Sequence, residues 1–162
     1  MRPLPVLEGA EPIGPDDVTA AEQELGFALP PAFVALCLHS NGGAPDRSWL
    51  INQDRGVEQQ VNWFLPVKPG GNRERRGLVE TYLQMTEERL LPTNSLPFAI
   101  DAGGKFFLLE HITGRVWFMP MDEWEHEETA EQNWSRSSTT VADSFEEFLD
   151  ALTDDAPPWA RD

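Results

Sequence analysis

Residues 22–43 read EQELGFALPPAFVALCLHSNGG, and the order of chain breakers within them predicts a helix, a sharp corner, a second helix and a stop. Upstream, Pro15 follows Gly14 and precedes Asp16 and Asp17. Proline suits the first helical position because a helix start leaves that N–H unpaired anyway. Carboxylates in the first turn face the positive end of the helix dipole. Val18, Ala21 and Leu25 then recur at helical spacing. Gly26 stands where a left-handed residue ends a helix without a Cβ penalty. Leu29-Pro30-Pro31 turns the chain, and Pro31 restarts a helix whose Phe33, Leu36 and Cys37 share a face. Asn41-Gly42-Gly43 is expected to close it, since both residue types tolerate positive φ. The unit is expected to be two packed helices joined by a stiff corner.

The far end carries a different signal. Residues 96–122 read LPFAIDAGGKFFLLEHITGRVWFMPMD and predict paired strands, with turns at Ala102-Gly103-Gly104 and Thr113-Gly114. Phe106, Leu108 and Glu110 should face one way, and Phe107, Leu109 and His111 the other. An apolar run on both faces predicts a central, covered strand. Residues 48–51 and 61–65 read as short aromatic and β-branched strands. Residues 77–91 read as a helix with Val79, Tyr82, Leu83, Thr86 and Leu90 on its apolar stripe, stopped by Pro92. Residues 122–138 are polar and acidic and read as a long loop or lid. A last helix is capped by Asp143 or Ser144, with Glu146 or Glu147 reaching back and Phe145, Phe148, Leu149 and Leu152 buried. The expected organisation is a flexible lead over residues 1–13, one domain over 14–152 and a tail over 153–162.

Leu25-Gly26, Leu29-Pro30 and Asn41-Gly42-Gly43 stand in fixed order with LPFAIDAGGKFFLL at 96–109, TGRVWF at 113–118 and ADSFEEFL at 142–149. This order and spacing resemble the SUKH superfamily, in which the fungal cell-wall-synthesis regulator stands beside many bacterial immunity proteins. The resemblance leaves out an insert at 52–91, where the family pattern carries nothing over. It implies an α+β fold, a mainly antiparallel sheet with helices packed around it, and a protein as binding partner.

At 162 residues the chain is most simply one domain. One cysteine excludes an internal disulfide framework and a Cys-based zinc cluster. Residues 1–12 lack a long apolar run, so they do not read as a signal peptide. No stretch approaches the roughly 20 apolar residues of a membrane helix. Cytoplasmic residence and no membrane partner are the expectation. Asn133-Trp134-Ser135 matches a glycosylation triplet, read here as accidental. The net charge is −16, and residues 122–162 hold thirteen acidic side chains against two basic ones. Nucleic-acid binding depends on cationic side chains, so no nucleic-acid partner is expected. Solubility alone accounts for such acidity in many proteins. An acidic surface also draws basic proteins.

The candidate chemistry is sparse. Cys37 and His39 are two apart on a helix and point differently, so Cys37 reads as a small core residue. Asp122-Glu123-Trp124-Glu125-His126-Glu127-Glu128 is the densest carboxylate cluster. Three readings stand: a solvated loop, an oxygen site for a hard cation, and an interface with Trp124 as anchor. The spacing lacks the glycine of a calcium loop. Asp101 reads as a turn former or an interface residue. The candidate partner-binding set is therefore Asp101, Asp122, Glu123, Trp124, Glu125, Glu127 and Glu128. Lys68, Arg73, Arg75 and Arg76 form a basic patch that could touch a phosphate, pair with the acidic excess or solvate a loop. Phosphate loops, nucleophile elbows and HExxH pairs are absent from the sequence, and no cofactor or catalytic set is expected. The resemblance implies an immunity protein that binds a cognate toxin, and the acidity narrows the expected toxin to a cationic, nuclease-type one. The alternatives are a regulatory interaction module of the same fold, or a metal-dependent enzyme or regulator using His126.

Overall fold

In chain order the elements are β1 (Val6–Leu7), α1 (Pro15–Leu25), α2 (Pro31–His39), β2 (Ala44–Pro45), β3 (Trp49–Asn52), β4 (Val57–Gln60) and β5 (Trp63–Phe64). Then follow α3 (Leu78–Glu87), β6 (Ser95–Ile100), β7 (Phe106–Glu110), β8 (Val116–Phe118), α4 (Ala130–Ser137), β9 (Thr139–Ala142), α5 (Phe145–Ala151) and β10 (Leu152–Thr153). The computed structural model describes residues 4–69, 76–120 and 124–160. The fold is α+β, and the strand pairs are antiparallel: β1-β2, β10-β3-β4, and a larger sheet β5-β6-β7-β8-β9.

The opening helices form as their sequence dictates. The Asp17 carboxylate accepts the Gly14 N–H at 3.0 Å, and Gly26 ends α1 at φ 88°. The two helices, however, find their main helical neighbours elsewhere, α1 on α3 and α2 on α5. Asn41-Gly42-Gly43 does more than stop a helix. α2 already ends at His39 with Ser40 as its cap. Buried Asn41 accepts the Val67 N–H at 2.8 Å and donates to the carbonyls of Glu11 and Lys68. Gly42 sits at φ 73° with the Phe64 carbonyl 2.8 Å from where a Cβ would stand. The motif thus ties Glu11 and the irregular segment after β5 to the end of α2.

The central strand is β7, covered on both faces as its apolar run predicts. Phe107 and Leu109 lie in the main core with Phe33, Phe64, Phe98, Phe145 and Phe148. Leu108 lies in a second cluster on the other face, with Met119, Ala130 and Trp134. A register shift between Pro97 and Ala99 lets Phe98 and Ala99 both enter the main core, which strict alternation would forbid. Phe98 then meets Phe145 and Phe148 edge-on at 5.5 and 5.4 Å. α5 follows its expected design: the Ser144 hydroxyl accepts the Glu147 N–H, the Glu147 carboxylate accepts the Asp143 N–H, and Phe145, Phe148, Leu149 and Leu152 are buried.

Several expectations change. Residues 122–138 are not one long loop, because 130–137 form α4. Thr129 caps it, accepting the Gln132 N–H, while the Gln132 side chain accepts the Thr129 N–H. Its polar residues other than Asn133 lie toward its solvent side; Trp134 is buried and its indole N–H reaches the Leu90 carbonyl at 2.9 Å. α3 buries Leu78, Thr81 and Met85 most deeply; of the stripe expected from sequence, Val79 and Tyr82 are half-buried against the main core, whereas Leu83 and Thr86 are exposed. The buried face is turned by about one residue from the expected stripe, roughly 100° on a helix, and Leu83 is exposed at 47%. Arg89, at φ 59°, turns the chain before Pro92. β4 carries the polar run Val-Glu-Gln-Gln and gave no strand signal; it forms by pairing with β3. At the chain ends, Val6 pairs with Pro45 and Thr153 with Trp49. Trp159 packs edge-on against Trp49 at 5.6 Å and donates to Glu58 at 2.6 Å.

Candidate functional site

The backbone of the acidic segment is held from below by the Asn133 side chain. Asn133 on α4 is fully buried. Its Oδ1 accepts the Glu125 N–H at 2.7 Å, and its Nδ2 donates to the Glu125 carbonyl at 2.9 Å and the Thr129 carbonyl at 3.1 Å. The Glu128 N–H closes the turn on the Glu125 carbonyl at 3.1 Å. A backbone pinned in this way presents Glu125, His126 and Glu127 to solvent. Trp124 lies half-buried against the second core cluster, below the surface carboxylates. Burial of Asn133 also removes the glycosylation reading of Asn133-Trp134-Ser135.

Charge in this segment is partly compensated. The Arg136 guanidinium lies 3.3 Å from the Glu128 carboxylate and also donates to Asn133 Oδ1. Glu125 and Glu127 have no ion pair among the described residues. Glu131 accepts the Thr93 amide and hydroxyl at 2.9 and 2.8 Å, and hydrogen bonds led by that hydroxyl hold its carboxyl below the usual range. Between this segment and the end of α3 runs a cleft of about 590 Å³, whose walls include Arg89, Leu91, Trp124, His126 and Glu127.

The candidate set does not converge. Trp124, Glu125, Glu127 and Glu128 share one turn. Asp122 and Glu123 lie outside the described residues. Asp101 sits beyond the C-terminal end of β6, whereas Leu90 and Leu91 of the acidic cleft precede its N-terminal end. The six residues of β6 span about 20 Å. Asp101 holds its own turn: its Oδ1 accepts the Gly103 and Lys105 amides at 2.9 and 2.8 Å. Of the basic patch, Lys68 lies 3.8 Å from Asp17 and Arg76 donates to the Gln84 side chain at 3.0 Å, while Arg73 and Arg75 lie outside the described residues. Cys37 is buried, and burial pushes its thiol up to about 12, which leaves no thiolate at neutral pH. Among the described residues, no three His, Cys, Asp or Glu side chains gather as a metal site, and no helix is long and apolar enough to cross a membrane.

Sequence reasoning missed Asn133 and Arg136, which hold the acidic turn. The signal that could have found them is Thr129-Ala-Glu-Gln132, a capping box that starts a helix.

Residues 12–151 match the SMI1 / KNR4 family (SUKH-1). The chain belongs to that family. No curated protein matches the chain. SUKH-1 includes toxin immunity proteins, is generally non-catalytic, and its members commonly bind partner proteins. The matched span runs from just ahead of α1 to the end of α5, so it takes in the helical opening, the central sheet and the helix that seals the core.

Proposed function

We propose that this SUKH-1 protein is a cytoplasmic immunity protein that binds and neutralises a cognate cationic toxin of the nuclease type. The observation that carries the reading is the net charge of −16 together with a turn that presents exposed Glu125 and Glu127, without an ion pair among the described residues, on a fixed backbone. A nuclease must carry positive charge to hold phosphates. An acidic surface occupying that groove competes directly with substrate, and no bond needs to be made or broken. The acidic excess also steers a basic partner during diffusional encounter.

The test begins with co-purification against the product of the neighbouring gene. Association rates are then measured across a salt series for the wild type and for Glu125→Lys/Glu127→Lys/Glu128→Lys. Screening at physiological ionic strength acts beyond about 8 Å, so the wild-type rate should fall with salt and the triple variant should associate more slowly throughout. The variant should keep its fold, since Glu125 and Glu127 are exposed and a partly exposed pair such as Glu128–Arg136 contributes about 0–1 kcal/mol. A salt-insensitive rate refutes the electrostatic mechanism. An unchanged rate in the triple variant shows that the interface lies elsewhere. Binding without neutralisation of toxicity refutes the immunity assignment.

A further inference from the structure

We infer that the groove between α1 and α3 is a docking groove for a basic protein segment, receiving an apolar side chain flanked by Lys or Arg. This rests on the basic-partner reading and adds a second surface to it, away from the acidic turn.

The groove has a volume of about 610 Å³, within the roughly 300–1,000 Å³ of ordinary ligand pockets. Its floor is apolar: buried Ala21 of α1 and buried Val67 from the irregular segment after β5. Its wall is α3, where half-buried Val79 is followed one turn later by Leu83, exposed at 47%. Leucine on that face makes no contribution to the core that α3 seals with Leu78, Thr81 and Met85. Water over such a surface is released when a partner's apolar side chain covers it.

Among the described residues, the rim supplies the sign of the partner. Asp17 and Glu24 project from α1 and Glu80 from α3. Lys68 also lines the groove, but its Nζ is 3.8 Å from Asp17. Glu24 and Glu80 have no ion pair among the described residues. An apolar floor between carboxylates on two helices favours a leucine-like anchor with cations on either side and disfavours an acidic segment. Charge at the rim then fixes register and speeds encounter, while the anchor slows release.

The experiment titrates the isotope-labelled full chain with short amidated peptides and follows amide shifts. One peptide combines leucine and lysine, one serine and lysine, and one leucine and glutamate. The leucine–lysine peptide should shift Ala20, Val79 and Leu83 most, and the other two should shift them far less. Leu83→Ser, which changes an exposed side chain, should weaken binding by about three- to tenfold, the share expected for half-burial of one leucine. Glu24→Gln/Glu80→Gln should weaken binding and flatten its salt dependence. Equal shifts from the serine–lysine peptide, or wild-type affinity in Leu83→Ser, overturn the groove. Shifts confined to residues 124–128 also overturn it while leaving the basic-partner reading in place. Silence at both surfaces counts against that reading itself.

Discussion

Replacing Asn133 by Ala isolates the device that holds the acidic turn. The substitution leaves helix propensity intact or better, because alanine is the best helix former. What it removes is the acceptor for the Glu125 N–H at 2.7 Å, the donor to the Glu125 and Thr129 carbonyls at 2.9 and 3.1 Å, and an acceptor for the Arg136 guanidinium, which keeps the Glu128 carboxylate at 3.3 Å. The Thr129 carbonyl keeps its helical partner, the Asn133 N–H, and the Glu125 carbonyl keeps the Glu128 N–H. The loss therefore centres on one stranded amide and the hydrogen bonds to two carbonyls. An intramolecular hydrogen bond contributes about 0.5–1.5 kcal/mol net, and a buried group left unsatisfied costs about 1–3 kcal/mol. Glu125 itself is exposed, so water recovers part of this, and the expected destabilisation is about 1–3 kcal/mol. Urea unfolding should show a lower midpoint with an unchanged slope. Hydrogen exchange adds the local readout: the Glu125 amide should lose protection beyond the change in global stability, while amides of β7 should lose only the global amount. A stability change under about 0.5 kcal/mol, with Glu125 exchange unaltered, would refute the argument that Asn133 pins this turn.

Two further outcomes follow from the core and its edge. Phe98→Ala should destabilise by about 3–5 kcal/mol in denaturant unfolding, because Phe98 is fully buried and central to the aromatic cluster; a cost near zero would mean that the bulged register of β6 is wrong. His111 stacks on Phe27 at 3.7 Å, and burial lowers its pKa from the ordinary value while neighbouring Glu110 opposes the shift. The unfolded chain therefore binds this proton more readily, so the contribution of His111 to stability is present above about pH 6.5 and is lost as pH falls through the folded pKa. Stability measured across that range should slope less in His111→Gln than in the wild type; identical slopes would remove His111 from the account.

Legibility tracked the distance over which each decision is made. Gly14-Pro15, Gly26, Pro31 and Ser144-x-x-Glu147 act within a few residues of themselves, and each helix boundary that they predict is where the chain places it. The run Phe106 to Leu109 announces a strand buried on both faces, since no solvent-facing residue interrupts it. α3 was legible as a helix but not in orientation: Leu78, Thr81 and Met85 compete with an equally apolar stripe through Val79 and Leu83, and only the position of its neighbours selects the first. The candidate site divided in the same way. Four of its residues share a turn because they are adjacent in sequence. Asp101 is separated from them by the length of β6, which no local pattern reveals.

The sequence alone determined the family, the boundaries of the capped helices, the covered central strand and the acidic character. These follow from short-range sterics, hydrogen bonding at helix ends, and charge, which are properties of residue type and spacing. The tertiary structure decided that β4 is a strand, that Trp134 belongs to the core through a carbonyl 44 residues away, and that Asn133 fixes the acidic turn. It also decided that Leu83 lines a groove rather than the core. Each of those depends on which distant surface supplies the missing partner, and a single chain of letters does not contain that until it is folded.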